Sequence, residues 1–387
     1  TGGWHESRVP QITMDVPRGH YAYLAEGIAE VVDVPVIACN RINSPSVAQR
    51  ILDRGKVSLI GMGRGFIADA ELVSKIREGR SEQIRYCVGC NQGCLDRVFS
   101  FGAVTCAINP FAGFEGSRRL GPAGEGRVAV VGGGPAGMEA AWVLAMRGFD
   151  VTLYERSPML GGGLRLAATA PGRGEFMAFV THMWRELRRL GVRIRLDTVA
   201  DAAHLGDDGF DHVVCATGAM DAAPAIEGVE SPIVVTAQDV MEHGVGVADR
   251  VVIIGGMVLG CYAALRASQT TREIDILECG DSIGSGFGRS TRWVILKMLR
   301  ERGVRMHTSA PVSQISSNSV ACDIEGETTI LPADVVVVAT APQPDRRLAE
   351  ELRTKGVPVT LVGGCDGTGD LLETVHQTFT EMAHLEL

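Results

Sequence analysis

The chain has 387 residues, 45% hydrophobic and 21% charged, so it can bury more than one core, and two or three domains are expected. A net charge of −9 gives no electrostatic case for a nucleic-acid partner, and no apolar run approaches the length of a membrane span. No signal peptide opens the sequence, and its ten cysteines fit a reducing compartment, so a cytoplasmic location is expected.

In chain order, residues 34–42 (VPVIACNRI) read as a strand, and residues 57–72 (VSLIGMGRGFIADAEL) as a strand leading into a helix. Next comes CVGCNQGCLDRVFSFGAVTC, where Cys87, Cys90, Cys94 and Cys106 follow the spacing C-x2-C-x3-C-x11-C. Zinc would accept four thiolates, but structural zinc sites usually pair two short knuckles. Three bunched cysteines and a distant fourth suit a [4Fe-4S] cluster, a carrier of single electrons. The stretch GFEGSRRLGPAGEGR then reads as a linker.

Residues Val128 to Glu155, VAVVGGGPAGMEAAWVLAMRGFDVTLYE, read as strand, tight turn, helix, strand. Gly132 permits the turn, Gly134 lets backbone approach a pyrophosphate, and Pro135 and Ala136 open the helix. Gly137 lets that helix pack on the strand. Glu155, followed by Arg156, ends the second strand where a ribose hydroxyl would sit. The following LGGGLRLA adds Gly161 and Gly162, an extension that argues for FAD over NAD. RGEFMAFVTHMWRELRRLGV, with apolar residues at helical spacing, reads as a packed helix, its RRL run a solvated face. The remaining cysteines, Cys39, Cys215, Cys261, Cys279, Cys322 and Cys365, lie singly in apolar or Gly-rich surroundings and are expected to be buried thiols.

A second copy of the unit starts at Arg250, in VVIIGGMVLGCYAALRASQTTREIDILE. Gly255 and Gly260 take the first and third fingerprint positions, and Glu278 ends the second strand. The middle position is Met257, whose side chain stands where backbone should meet pyrophosphate, so nicotinamide binding is weakened or lost. A domain kept for its packing and a working NAD(P)H site both remain open readings. Glu278 leans toward NADH, although Arg289 and Arg292 stand close by in sequence.

Together these motifs resemble the C-terminal part of the 2,4-dienoyl-CoA reductase and trimethylamine dehydrogenase family of iron-sulfur flavoproteins. The resemblance covers the whole chain, and the cysteine spacing is closer to the dienoyl-CoA reductase branch. It implies an old-yellow-enzyme-like FMN barrel, a cluster, and an FAD domain with a nicotinamide-type domain inserted. TGGWHESRVPQI resembles the loop after the sixth barrel strand, where His5 would help protonate substrate above FMN; the plain alternative is a hydrogen-bonded loop histidine. The two early strands would be the seventh and eighth of the barrel. Cys39 and Asn40 from the one, and Gly63 and Arg64 from the other, would hold the FMN phosphate, Arg64 best suited to a phosphate dianion unless it forms an ordinary surface ion pair. Cys215-Ala216-Thr217-Gly218 resembles the A-T-G turn of the FAD domain, with Ala339-Thr340-Ala341 as its altered counterpart in the inserted domain. In VTLVGGCDG, Asp366 would approach the flavin ribityl chain.

The expected architecture is α/β: a partial TIM barrel over 1–86, a [4Fe-4S] segment over 87–126, an FAD-binding Rossmann-like domain over 127–248 and 357–387, and a second, NAD(P)H-type Rossmann-like domain over 249–356. A full (β/α)8 barrel takes roughly 200 to 250 residues, so two strands cannot close one. A second polypeptide, or a missing N-terminal part of the same protein, would supply the first six strands. The implied function is reduction of an activated carbon-carbon double bond, with electrons passing from NAD(P)H through FAD and the cluster to FMN. Two alternatives stand beside it. One is an amine-dehydrogenase-like enzyme passing electrons from FMN through the cluster to an external carrier; the other is a non-catalytic electron-transfer subunit.

Overall fold

The computed structural model describes residues 13–367 and 369–387, so His5 lies outside the described residues. The front segment holds a parallel pair, β1 (Ile37–Ala38) and β2 (Leu59–Ile60), with the helices Ala22–Ala29, Pro45–Leu52, Arg64–Ala68 and Leu72–Arg77 around it. Its small core joins Ala22, Ala38, Ile42, Val47, Ile51 and Val57. Both strands are shorter than the runs expected. β1 ends just before Asn40 and Arg41 enter the left-handed region (φ 74° and 54°), and β2 gives way to Gly63, which opens the next helix. Ile37 and Leu59 stay 55% and 54% exposed, since no further strand among the described residues joins the pair. Residues 87–126 carry one short helix, Leu95–Phe99, and otherwise run as turns and loops.

Two five-stranded parallel sheets follow. The first comprises β3 (Arg127–Val131), β4 (Asp150–Tyr154), β5 (Arg193–Arg195) and β6 (His212–Cys215), completed by a late strand Val359–Leu361 beside β6. β3 lies at its centre, and alternation along it sorts the two faces. Val128, Val130 and Val214 pack under the helices Pro135–Met146, Phe176–Arg189 and Leu371–Ala383; Ala129, Val131 and Val213 meet Leu205, Ala349 and Leu352 on the other face. The helix expected in RGEFMAFVTHMWRELRRLGV is Phe176–Arg189, which buries Phe176, Phe179, Met183 and Leu187.

β7 (Ala219–Met220) leads out of this sheet and pairs antiparallel with Gln343–Pro344, the returning strand. Between them lies the second sheet. β8 (Val234–Thr236), β9 (Arg250–Ile254), β10 (Glu273–Leu277) and β11 (Arg305–His307) combine with Val335–Val338 in the order β11, β10, β9, Val335–Val338, β8. One face packs on the helices Ala237–His243, Val258–Ala267 and Arg289–Glu301. The other packs on a three-stranded antiparallel sheet of β12 (Val312–Ile315), β13 (Ser319–Ile324) and β14 (Glu327–Pro332). The crossing therefore differs from the boundaries expected at 248/249 and 356/357. β8 and Ala237–His243 belong to the second sheet, while the helix Arg347–Thr354 returns to the first through Ala349 and Leu352. β8 is three residues long and precedes the glycine fingerprint, so the repeat pattern that fixed the expected boundary did not include it.

Candidate flavin and cysteine sites

The turn between β3 and the helix Pro135–Met146 opens the main groove of the molecule. Gly132, Gly133, Gly134, Pro135, Ala136, Glu155, Arg156, Gly162, Thr217 and Gly218 line it, joined by Arg165 and Arg347. Gly132 has φ 110°, and a Cβ there would lie 2.2 Å from the Ala216 carbonyl oxygen. Gly137 lies beneath the groove, where a Cβ would meet the Gly132 carbonyl oxygen at 1.7 Å. Gly134 is different: a Cβ would meet only Gly162 Cα, at 4.0 Å, so the fold leaves this space to a ligand. Glu155 ties the turn together, accepting from Gly133 N at 2.6 Å, Ser157 N at 2.8 Å and Ser157 Oγ at 2.5 Å. A backbone cradle at a helix N-terminus, an acid at the end of β4 and three guanidinium groups on the walls suit a dinucleotide diphosphate. Asp366, expected beside the ribityl chain, is exposed on the turn Gly363–Asp366 and does not line the groove. Gly364 does, two residues earlier: the tight turn carries the chain back outward before Asp366, and the buried Cys365 thiol points at the Cys215 carbonyl, 3.0 Å away.

Cys87, Cys90, Cys94 and Cys106 line one small cavity of about 20 Å³. Gly93 makes the convergence possible, since a Cβ there would sit 2.9 Å from both Ala107 N and the Cys106 backbone. Gly89 N donates to Cys87 Sγ at 3.4 Å, and the backbone amides of Gln92, Leu95 and Ile108 act to lower the pKa of the Cys90, Cys94 and Cys106 thiols. Burial pushes the Cys106 thiol up to about 12 and the Cys90 thiol well above its ordinary value, with the neighbouring thiols adding to the shift. Thiolates crowded around one point repel one another, and a cation between them offsets that repulsion. Zinc holds its sulfurs about 2.3 Å from one point. No group of three or more His, Cys, Asp or Glu side chains among the described residues is placed to hold a metal ion. Four thiols around one point, with a backbone N–H on Cys87 Sγ, are a donor set that suits an iron-sulfur cluster.

Arg64, expected at the FMN phosphate, lines the same cavity, donating from Nη1 to Asn91 Oδ1 at 2.6 Å and lowering the pKa of the Cys94 thiol against the larger effect of burial. Asn91 holds φ 65° and donates to Ser290 Oγ of the second sheet's domain at 3.1 Å, while Asp96 accepts from Ser290 N at 2.8 Å. The cysteine loop is thus fastened to both neighbours. Cys39, Asn40 and Gly63 lie at the ends of β1 and β2 away from the groove. All ten cysteines are unpaired; Cys215, Cys261, Cys322 and Cys365 are buried as expected, whereas Cys39 and Cys279 are exposed. Glu278 repeats the role of Glu155, accepting from Gly256 N at 2.7 Å and Gly280 N at 2.8 Å. Gly255 and Gly260 form the second turn, and Met257, at its middle position, is exposed.

Residues 126–366 match the pyridine nucleotide-disulphide oxidoreductase family, and residues 4–83 the NADH:flavin oxidoreductase / NADH oxidase family. The chain is 38% identical to a metal reductase of Desulforamulus reducens, over 98% of this chain and 62% of that protein. It is 31% identical to a cinnamate reductase of Clostridium sporogenes, over 97% of this chain and 56% of the relative. The solved 2-naphthoyl-CoA reductase complex superposes with a TM-score of 0.95 at 31% identity, covering all of this chain and 59% of the other. The chain belongs to the old-yellow-enzyme-like family of 2,4-dienoyl-CoA reductases and trimethylamine dehydrogenases. It spans 62% and 56% of the length of those two curated relatives. Both of those relatives are named as reductases.

Several polar residues around the cysteine segment carry no motif. Glu175 of the flavin-type domain takes Arg18 at 3.2 Å and the buried Arg41, and Asn43 reaches both Glu175 (3.2 Å) and the Cys87 carbonyl (2.6 Å). His376 contacts the Cys106 carbonyl through Nε2 and Arg118 through Nδ1, both at 2.9 Å. Arginine can only donate, so Nδ1 accepts and Nε2–H donates; burial depresses this imidazole to about 4. Glu139, on the helix Pro135–Met146, is wholly buried, and neither of its oxygens has a hydrogen-bond partner among the described residues. Burial pushes its carboxyl up to about 7, against the opposing charges of Arg85 and Arg118.

Proposed function

We propose that this chain is the electron-input portion of a flavoprotein that reduces activated carbon-carbon double bonds of the enoate or dienoyl type. When bound, FAD, a [4Fe-4S] cluster and FMN would supply, in that order from NAD(P)H, hydride acceptance, single-electron relay and hydride delivery. Gly134 and the helix N-terminus would receive the FAD diphosphate, Glu155 the ribose, and the four cysteines the cluster. Arg64, with Gly63, Cys39 and Asn40, would hold the FMN phosphate, and His5 would place a proton on the substrate. The observation that carries this reading is the cysteine cavity. Its loop is bonded to Arg64 of the front segment, to Glu175 of the flavin-type domain through Asn43, and to Ser290 of the second nucleotide-type domain. Two matched proteins are named for conjugated substrates, cinnamate and 2-naphthoyl-CoA, which supports an enoate-like substrate class.

The exposed Ile37 and Leu59 of the parallel pair support the further proposal that the first six barrel strands come from a partner polypeptide or the remainder of the same protein. Ten unpaired cysteines support a cytoplasmic setting. No helix among the described residues is long and apolar enough to cross a membrane.

The test is anaerobic reduction of a cinnamate-type enoate by the assembled, cofactor-loaded protein, with NADH or NADPH as donor. Turnover that falls by about 100-fold or more in the variant His5→Ala, at unchanged cofactor content, is the expected result. Absence of enoate reduction with any donor would sink the reading. Met257 favours a second reading, in which electrons run from an amine substrate through the same centres to an external carrier without nicotinamide. Rapid bleaching of the flavin by an alkylamine, with none by NAD(P)H, would select it.

A further inference from the structure

The two dinucleotide-type turns can be laid on each other residue by residue. Gly132, Gly133, Gly137 and Gly161 correspond to Gly255, Gly256, Gly260 and Gly284, at one constant offset. The same bonds recur. Gly161 N donates to the Gly133 carbonyl at 2.8 Å and Gly284 N to the Gly256 carbonyl at 2.7 Å, while Glu155 and Glu278 accept from Gly133 N and Gly256 N at 2.6 and 2.7 Å. The same space is denied to a side chain. A Cβ at Gly132 or Gly255 would lie 2.2 or 2.5 Å from the carbonyl oxygen of Ala216 or Ala339, and one at Gly137 or Gly260 would lie 1.7 or 1.9 Å from that of Gly132 or Gly255. At Gly133 and Gly256, a Cβ would press on Leu160 and Ile283, each at 2.5 Å. These glycines are required by the protein itself, and both copies keep them.

The glycine that the protein does not require has a different fate. At Gly134 an added Cβ would meet only Gly162 Cα, at 4.0 Å. Its counterpart is Met257. Backbone geometry does not explain this exchange, because Gly134 and Met257 cap their helices with nearly identical dihedrals, φ −73° and ψ −174° against φ −73° and ψ −166°. What distinguishes Gly134 is the groove it lines, so its missing side chain serves a ligand. Met257 is 43% exposed at the corresponding N-terminus, above the backbone groups that would receive a pyrophosphate.

We propose that Met257 is the residue that sets dinucleotide affinity in the second domain: it stands on the approach of the pyrophosphate, so the domain keeps a nucleotide-binding fold while holding NAD(H) or NADP(H) weakly. The proposal rests on the reading that this domain is the nicotinamide side of the electron path. A methionine there lets a hydride donor visit without saturating the site, and its removal restores the contact that Gly134 leaves open in the first domain.

The test uses the full chain loaded with FAD under anaerobic conditions, comparing wild type with Met257→Gly and Met257→Ala. Glycine is a good helix N-cap, so the exchange leaves the fold intact. Isothermal titration with NAD+ and NADP+, which bind without reducing the flavin, reads affinity directly. For at least one of them Met257→Gly is expected to bind at least about tenfold more tightly than wild type, with Met257→Ala between and FAD content unchanged. Affinities of wild type and Met257→Gly within about twofold of each other for both nucleotides, or weaker binding by the glycine variant, would overturn the proposal. Enoate reduction by the assembled, cofactor-loaded protein, driven by dithionite, bypasses the second domain. If it fails while Met257→Gly still gains affinity, the reductase reading falls and the role of Met257 stands.

Discussion

The two five-stranded sheets and the cysteine segment are stabilised by different balances of apolar and polar contact. In the sheets, Val128, Val130, Val214, Val252 and Ile253 are fully buried, and apolar burial on both faces holds the strands with no help from a ligand. Residues 87–126 have one five-residue helix and draw four thiols into a single cavity. Polar contacts with Arg64, Asn43, Ser290 and His376 tie the segment in, and Cys87, Val88, Ala107 and Ile108 pack in the core of the first sheet. The difference teaches where ligand dependence should be confined. Emptying the cysteine cavity should unfasten the loop and leave both sheets standing, whereas damage to a sheet core should lower global stability and leave the cavity's chemistry intact.

The largest expected effect breaks the comparison from the cysteine side. Cys90→Ser should abolish the iron-sulfur absorbance, and limited proteolysis should then cut within 87–126 while fragments spanning each sheet persist. Simultaneous loss of both sheets would show that the loop governs the whole fold. Next comes Leu153→Ala, in β4, where the side chain is fully buried. It should cost about 2 to 5 kcal/mol in denaturant unfolding with iron content unchanged. A smaller effect sharpens the boundary between the two regions. The Glu139 carboxyl is raised, so its contribution to stability is full below its ordinary value of 4.5 and is lost as pH rises through about 7. Glu139→Gln should therefore gain stability relative to wild type between pH 5 and pH 8, by no more than about 3 kcal/mol, read from melting temperatures across that range. An unchanged difference across the range would mean that Arg85 and Arg118 fully compensate the buried charge.

Much of this was legible in the sequence because chain-local rules govern it. The strand-turn-helix fingerprints sit within about thirty residues, and their glycines are imposed by backbone contacts that each turn makes with itself and the next strand. The cysteine spacing is equally local. What escaped reading depends on contacts between distant parts of the chain. His376 reaches the Cys106 carbonyl across 270 positions, Arg41 reaches Glu175 across 134, and nothing near either residue marks it as special. Asp366 does not line the groove because the tight turn Gly363–Asp366 brings Gly364 there instead, a local geometry that composition does not encode. The domain crossing was missed because β8 is too short to carry a pattern, and the exposed Cys39 and Cys279 because apolar neighbours in sequence need not be neighbours in space.

The proposal that the four cysteines hold a [4Fe-4S] cluster joining the front segment to the nucleotide-type domains is tested by metal and acid-labile sulfide analysis of the anaerobically purified chain, with electron paramagnetic resonance after dithionite reduction, compared with Cys90→Ser. Iron and sulfide in equal amounts and a reduced-cluster signal are expected in the wild type, with all three lost in the variant. One zinc per chain held by the same four cysteines, without sulfide, would contradict the proposal.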